Sequence, residues 1–175
     1  DSPASRAACS TVPASPTNVF YGWNQPSMYA MPPLAADDWV CTTTDPVTKI
    51  RWWGSFIGWR ETTLPQPMPA GFQIAYWTDV PATAGDFSHP GVVLQTNFCT
   101  TYTATWVGWD YDPRSGTFES CFLFEQTLPQ SDWFYQQPGP NGTNIYWVSI
   151  AATYPPSQMG WMWGWKTRPR SPTSP

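Results

Sequence analysis

The sequence predicts an all-β protein: an antiparallel β-sandwich, of jelly-roll or immunoglobulin-like type, with extended N- and C-terminal arms. The first observation is the frequency of chain breakers, because 21 Pro and 12 Gly in 175 residues leave little room for long helices. The second is the alternation of apolar and polar side chains with a period of two, which is typical of strands. Both observations favour short strands joined by turns.

The chain length suits a single domain with one core. Residues 1–18 are rich in Ser, Pro and Ala, a composition that favours an extended arm over a packed element. Residues 166–175 have a similar Pro- and Ser-rich composition and are expected to form a tail. We therefore assign the sandwich domain to residues 19–165.

Alternation locates individual strands between the two arms. Phe72, Ile74 and Tyr76 share one face of the first clear strand. Apolar side chains at similar spacing mark three further strands: Val92, Leu94 and Phe98; Phe118, Phe122 and Phe124; and Tyr146, Val148 and Ile150. Asp, Pro and Gly make turns between these strands, notably over residues 108–116 and 138–142. Strands at this spacing predict a sandwich or a barrel.

The charge balance argues against a nucleic-acid partner. The net charge is −4, and the 8 Lys and Arg are scattered singly, so no basic face is available to neutralise phosphates. No apolar run approaches the ~18 residues needed to cross a bilayer. Because the sequence begins at Asp1 with no initiator Met or targeting segment, we expect an exported, processed product of the cell surface or extracellular matrix.

The cysteines are expected to form two disulfides, since their number is even in an expected exported chain and no C-x-x-C spacing occurs. They are Cys9, Cys41, Cys99 and Cys121. Cys99 and Cys121 flank a predicted hairpin and could face each other, which leaves Cys9 to tether the N-terminal arm to Cys41. The sequence alone does not fix the connectivity, and three pairings stay open.

Residues suited to acid-base or metal chemistry are scarce. His89 is the single histidine and lies in a turn-like Ser-His-Pro segment, where a surface role is favoured over catalysis. Asp37 and Asp38 are adjacent, so on a strand they point to opposite faces and cannot act on one bond. Asp110 and Asp112 could offer oxygens to a calcium ion, although the full calcium-loop pattern is missing. We expect a protein that is not an enzyme, with no cofactor and no metal.

Thirteen tryptophans are the strongest positive feature. Because neighbouring strand residues alternate faces, Trp52 and Trp53 cannot both enter one core. Trp161, Trp163 and Trp165 share a face, as either a wall of the core or an exposed ladder. Only 11% of residues are charged, so some aromatic surface is expected to be exposed, and such patches mark interaction sites. The candidate binding and assembly surface consists of Trp52, Trp53, Trp59, Trp109, Trp161, Trp163 and Trp165.

A glycan acceptor pattern lies in one of the turn-rich loops. Asn141-Gly142-Thr143 matches Asn-x-Thr, at a position from which a glycan could project. The arms, rich in Ser, Thr and Pro, also permit glycosylation without demanding it. Asn141 is therefore the candidate glycosylation site of an expected glycoprotein.

Six motifs resemble those of a known family. They are Ala36-Asp37-Asp38-Trp39-Val40-Cys41, Ile50-Arg51-Trp52-Trp53-Gly54-Ser55, Trp77-Thr78-Asp79-Val80-Pro81, Ser88-His89-Pro90-Gly91, Tyr146-Trp147 and Gly164-Trp165-Lys166-Thr167. Their order is similar to that of an uncharacterised family of secreted bacterial β-sandwich domains, over roughly residues 20–168. The resemblance implies the fold and export, and no catalytic residues carry over. After Thr167 the sequence departs from the family's polar, Asp-containing continuation.

Two functions fit these observations. The first is a non-catalytic structural protein that binds other copies of itself and builds an extracellular filament or surface layer, because exposed strand edges pair readily. The alternative is a carbohydrate-binding module that holds polysaccharide on Trp161, Trp163 and Trp165, or on Trp52 and Trp53. Open indoles would favour sugar, whereas indoles buried against a second copy would favour assembly.

Overall fold

The computed structural model of the chain describes residues 11–12, 19–20, 23–112, 116–158 and 160–166. These residues form two packed β-sheets with a single 3-10 turn, Gln130–Asp132, and no α-helix. The strands are β1 (Thr11–Val12), β2 (Val19–Phe20), β3 (Asn24–Pro26), β4 (Ala36–Cys41), β5 (Lys49–Phe56), β6 (Gly71–Val80), β7 (His89–Cys99), β8 (Thr103–Asp112), β9 (Thr117–Thr127), β10 (Asn144–Thr153) and β11 (Trp163–Lys166). Within this part of the chain, no helix is long and apolar enough to cross a membrane.

The larger sheet has the strand order β1-β2-β8-β9-β5-β11-β3 and the smaller one β4-β10-β6-β7. Five strands, from β8 to β3, form the antiparallel body of the larger sheet. The two-residue strands β1 and β2 extend one edge of it, and β2 pairs with β8 in parallel. The smaller sheet is antiparallel throughout. The predicted antiparallel β-sandwich is thus confirmed.

Aromatic rings fill the space between the sheets. Trp52 and Phe124 of the larger sheet stack with ring centroids 5.6 Å apart. Phe72 of the smaller sheet meets Trp52 edge-on at 5.1 Å and Trp163 edge-on at 5.0 Å. Each such pair contributes about 0.5–1.5 kcal/mol beyond the apolar area that it buries. The core therefore depends on ring geometry as well as on burial.

The predicted alternation is confirmed on the two central strands of the smaller sheet. Residues 72, 74 and 76 of β6 and residues 146, 148 and 150 of β10 are all at most 7% exposed. The intervening residues lie on the opposite, outer face of the sheet, because side chains alternate along a strand. On this outer face Gln73, Trp77 and Trp147 are partly exposed, whereas Ala75 and Ser149 are buried.

The two arms fall largely outside the described residues. Within residues 1–18, β1 is described, as two residues that pair with β2. Of the predicted tail, Lys166 is described, as the last residue of β11.

The predicted disulfide between Cys99 and Cys121 is wrong. Cys99 is a buried free thiol at the end of β7, in the smaller sheet, whereas Cys121 is buried in β9 of the larger one. The hairpin that the two residues were expected to flank exists, but Cys99 belongs to the strand before it. Cys41 is also a buried free thiol and donates to the Thr43 carbonyl oxygen at 3.1 Å. Its predicted partner, Cys9, lies outside the described residues.

Candidate functional site

The structure divides the seven tryptophans of the candidate surface into two groups. Trp52, Trp163 and Trp165 are at most 2% exposed, so they cannot belong to a binding or assembly surface. The shared face of Trp163 and Trp165 is the one turned towards Phe72, which makes it a wall of the core. The partly or well exposed members are Trp53, Trp59, Trp109 and Trp161.

Trp52 and Trp53 lie on opposite faces of β5, as predicted. Trp52 is fully buried, whereas Trp53 is half-buried on the outer face of the larger sheet, beside Leu123. Two adjacent residues of one type thus have different surroundings, which makes them a natural matched pair for experiments.

Trp161 lies just before β11 and is 41% exposed. Its ring meets Trp59 edge-on at 5.2 Å, and its carbonyl oxygen accepts a bond from the Tyr154 hydroxyl at 2.8 Å. Met162 beside it is 42% exposed. These residues form a small apolar patch rather than a ladder of three indoles.

Four exposed apolar side chains are concentrated on strand β7, at an edge of the smaller sheet. Strand β7 has 11 residues and ends the smaller sheet, with β6 on one side and no described strand on the other. Its exposed apolar residues are Val92 at 70%, Val93 at 42%, Leu94 at 48% and Phe98 at 48%. Residues 87–99 contain no Lys, Arg, Asp or Glu. Long uncharged apolar edges of this kind readily pair with another strand.

A bulge interrupts the alternation along β7, so Val92, Leu94 and Phe98 do not share one face as the alternation predicts. Gln95 pairs with Tyr76 and Val93 with Trp77, so Leu94 is an extra residue that interrupts the alternation. His89, at the start of the strand, is exposed. It lies in a strand rather than in a turn.

The opposite edge of the same sheet is formed by β4 and differs in charge. Asp37 and Asp38 lie side by side on this strand, opposite Val148 and Trp147 of β10. Their side chains therefore point to opposite faces, as predicted. Charged residues on an edge strand discourage pairing with another chain.

The outer face of the smaller sheet carries a pair of indoles that the sequence analysis did not single out. Trp77 of β6 and Trp147 of β10 are directly opposite each other in the sheet, and both are half-buried. The Trp77 indole N–H donates to the Ser149 hydroxyl at 3.0 Å, and the Trp147 indole N–H donates to Asp79 Oδ1 at 2.8 Å. Along the strands, Ser149 lies on one side of the Trp77–Trp147 pair and Asp79 on the other. The two indole rings therefore extend in opposite directions along the sheet.

A cleft of about 320 Å³ lies at the end of β6 and the start of β10, and Asp79, the acceptor of the Trp147 indole N–H, is one of its lining residues. Its lining residues are Thr78, Asp79, Pro81, Thr143, Asn144, Ile145 and Tyr146. Asp79 thus links the indole pair to the cleft. The glycan acceptor Asn141 is exposed in the neighbouring loop. We refer to the two indoles with the cleft as the Trp77–Trp147 face.

The outer face of the larger sheet holds a second unpredicted feature, a buried polar ring. Its members are Asn24 of β3, Asp110 of β8, Glu119 of β9 and Lys166 of β11, each at most 3% exposed. Asn24 lies beside Lys166, and Asp110 lies beside Glu119, in neighbouring strands. The Asn24 side-chain amide donates to Glu119 Oε2, and Lys166 Nζ contacts Asp110 Oδ2. Two strand pairings and two side-chain contacts thus connect the four residues into a closed ring.

Small side chains make room for the long Lys166 side chain on this face. Strands β5 and β9 lie between β11 and β8 in the sheet order. Gly164 is paired with Ser55, and Gly108 is paired with Cys121. The register of β5 with β9, in which Gly54 pairs with Phe122, puts Ser55 beside Cys121. A floor of small residues therefore runs across the sheet beneath the ring.

The ring replaces the calcium site that Asp110 and Asp112 were considered for. Asp110 faces the Lys166 ammonium, whose charge already occupies the position where a cation would bind. Among the described residues, no group of three or more His, Cys, Asp or Glu could hold a metal ion.

Two groups near the core titrate far from neutral pH. Burial, with the nearby Asp132 carboxylate adding to it, raises the pKa of the Cys99 thiol to about 11. Burial also raises the pKa of Tyr102 to about 12. The Cys99 thiol is therefore protonated at neutral pH, which makes it a poor nucleophile.

The family model for a domain of unknown function, DUF7901, matches residues 10–174. The chain belongs to this family. The match spans almost all of the sequence, including every strand described above, and agrees with the resemblance carried by the six motifs. Comparison with curated proteins and with solved structures gives no match.

Proposed function

We propose that this DUF7901 chain is a non-catalytic structural subunit that associates with other copies of itself through β7. The observation that carries the proposal is the combination of length, exposed apolar side chains and absence of charge on this edge. Burial of apolar area stabilises association by roughly 25 cal/mol per Å² before the entropy of association is subtracted. Backbone hydrogen bonds to a second strand add to it.

A second copy is the occupant that the edge favours. An antiparallel pair of β7 strands from two copies brings together two uncharged segments, so no like charges meet across the interface. Residue 94 is the midpoint of His89–Cys99 and lies beside residue 94 of the other copy when the strands pair about their centres. The pair would join two four-stranded sheets into one of eight strands.

A closed pair of this kind gives a dimer, and growth into a filament or surface layer needs a further contact. The patch of exposed Trp161 and Met162, with half-buried Trp59 against Trp161, supports such a contact, because exposed apolar patches mark interaction sites. The extracellular filament and the surface layer remain the proposed assemblies.

Sedimentation of the full chain over a wide concentration range tests the association. The variant Leu94→Lys places two ammonium groups opposite each other in the β7 pair, and we expect at least about a tenfold weaker association. The matched control is Val40→Lys on β4, where the native residue is 45% exposed, against 48% for Leu94. A chain that stays monomeric at every concentration would contradict the proposal, as would equal effects of the two variants.

A second candidate function is polysaccharide binding on the Trp77–Trp147 face. Three features support it: two fixed indoles that extend along the sheet, an adjacent cleft, and polar cleft residues that can bond to hydroxyl groups. Lys and Arg are not among the cleft residues, and Asp79 is acidic, so a neutral glycan fits better than an anionic one. This location replaces the platforms first considered, whose indoles are largely buried.

Retention on insoluble glucan, xylan and chitin tests the second candidate. Trp147→Ala removes one indole of the face and should reduce retention about fivefold or more, if a sugar ring stacked on an indole contributes as much as the about 1–3 kcal/mol of a nucleobase stacked on an aromatic side chain. Trp161→Ala is the matched control, an exposed indole elsewhere on the surface. Absence of retention on all three polymers, or an equal loss with both variants, would remove this candidate.

A further inference from the structure

The buried polar ring contains a contact between a lysine and an aspartate that are both almost completely removed from solvent. The side chains of Lys166 and Asp110 are each 1% exposed and in contact. Taking a carboxylate and an ammonium out of water costs several kcal/mol per ion, and their attraction alone often fails to offset that cost. An amide between the same two side chains carries neither charge, so its formation removes both desolvation penalties.

We propose that Lys166 Nζ and Asp110 Cγ condense into an intramolecular isopeptide bond. The proposal rests on the buried contact between these two side chains and on the carboxyl of Glu119 opposite Asp110 in the β8–β9 register. It does not depend on self-association or on glycan binding.

The reaction balances without a cofactor or an oxidant. A proton leaves the Lys166 ammonium, and the free amine attacks Asp110 Cγ as its carboxyl becomes neutral. The C–N bond forms, one C–O bond breaks, and the Asp110 oxygen departs as water with two protons taken from Nζ. The ammonium and carboxylate become one neutral amide and one water molecule, with no change in the total charge of the chain.

Glu119 is the group that moves a proton between Nζ and the departing oxygen. Its carboxyl is held on both sides, because Oε1 accepts the Gly58 backbone N–H at 2.8 Å and Oε2 accepts the Asn24 side-chain amide. A carboxyl fixed in this way can accept and return a proton in the same position. The burial of all four ring members excludes the water that would otherwise favour hydrolysis of the product.

The bond would join the last described strand to the middle of the same sheet. A covalent link between residues 110 and 166 closes a long loop and limits the conformational freedom of the unfolded chain. It forms once per molecule, as a single turnover within the chain, so it is compatible with a protein that has no catalytic turnover. Such a link suits a subunit that must resist pulling or proteolysis outside the cell.

The intact mass of the full chain, measured after complete unfolding, decides the proposal. We expect the wild-type mass to be lower than the sequence mass by one water molecule, after reduction of any disulfide. Cleavage by trypsin should then give one branched product that joins residues 61–114 to residues 115–170, since a modified Lys166 is not cleaved. A mass equal to that of the sequence, or a water loss mapped to other residues, would overturn the proposal.

Three variants sharpen the test. Asp110→Asn should still form the bond but lose one ammonia in place of one water. A water loss that arises at any other residue would stay a water loss in this variant. Lys166→Arg should show no mass loss, and Glu119→Gln should slow or abolish it. Near-ultraviolet circular dichroism of the tryptophan core establishes whether each variant is folded. Water loss from a folded Lys166→Arg chain would contradict the assignment of the nucleophile.

Discussion

The two faces of the seven-stranded sheet use the same alternation of side chains for different purposes. The inner face carries Trp52, Phe124 and Trp163, packed against Phe72 of the other sheet. The outer face carries small residues and the buried polar ring. Inner residues are stabilised by apolar area and by aromatic contacts, which many side chains can supply, whereas each member of the polar ring needs particular polar partners. Burial alone therefore does not tell which residues form the core.

The largest effect is expected on the inner face. Trp52→Ala removes a fully buried ring that touches Phe72 and Phe124, and we expect the free energy of unfolding to fall by about 3–5 kcal/mol. Trp53→Ala, one residue along and half-buried on the outer face, should lower it by about 1 kcal/mol or less. Urea unfolding followed by far-ultraviolet circular dichroism measures both. Equal losses would show that the described face assignment of β5 is incorrect.

A smaller but specific effect is expected on the outer face. Asn24→Ala removes the amide that donates to Glu119 Oε2 and leaves a buried carboxylate oxygen without that donor. We expect a loss of about 1–3 kcal/mol, since an unsatisfied buried acceptor carries its desolvation penalty. Gln25→Ala, at an exposed neighbouring position of β3, is the control and should change the unfolding free energy little. If the two variants behave alike, the ring contributes nothing through Asn24.

The core-facing residues of the two sheets could be largely predicted from the sequence, because alternation is a local property. It predicted the shared face of Phe72, Ile74 and Tyr76 and the opposed positions of Trp52 and Trp53. Alternation cannot tell which of two faces is turned inwards, so for Trp163 and Trp165 it predicts either a wall of the core or an exposed ladder.

The outer features depend on strand order, which the sequence does not contain. Asn24 and Glu119 are 95 residues apart in the chain, and their side chains meet on one face of the sheet although β5 and β11 lie between β9 and β3. The pairing of Trp77 with Trp147 is likewise not predictable from the sequence, since it exists only because β6 lies beside β10. The available signal for the ring was a lysine, Lys166, that directly follows the alternating Trp161, Trp163 and Trp165.

The smallest effect is expected where the outer face is open to solvent, at Glu125. Hydrogen bonds from Lys49 and then Arg51 lower the pKa of this carboxyl, at N–O distances of 2.7 and 2.6 Å. A lowered folded-state pKa means that the interaction stabilises the fold above the unfolded pKa of about 4.3 and is lost as pH falls through the folded value.

Because the three side chains are partly exposed, the contribution should be about 0.5 kcal/mol or less and should shrink in high salt. Unfolding free energies of wild type and Glu125→Gln should therefore differ slightly at pH 7 and converge as the pH falls below the folded pKa of Glu125. A large, salt-independent effect of Glu125→Gln would mean that this carboxylate, like that of Glu119, is shielded from water. The outer face would then not be divided into an exposed part and a buried part.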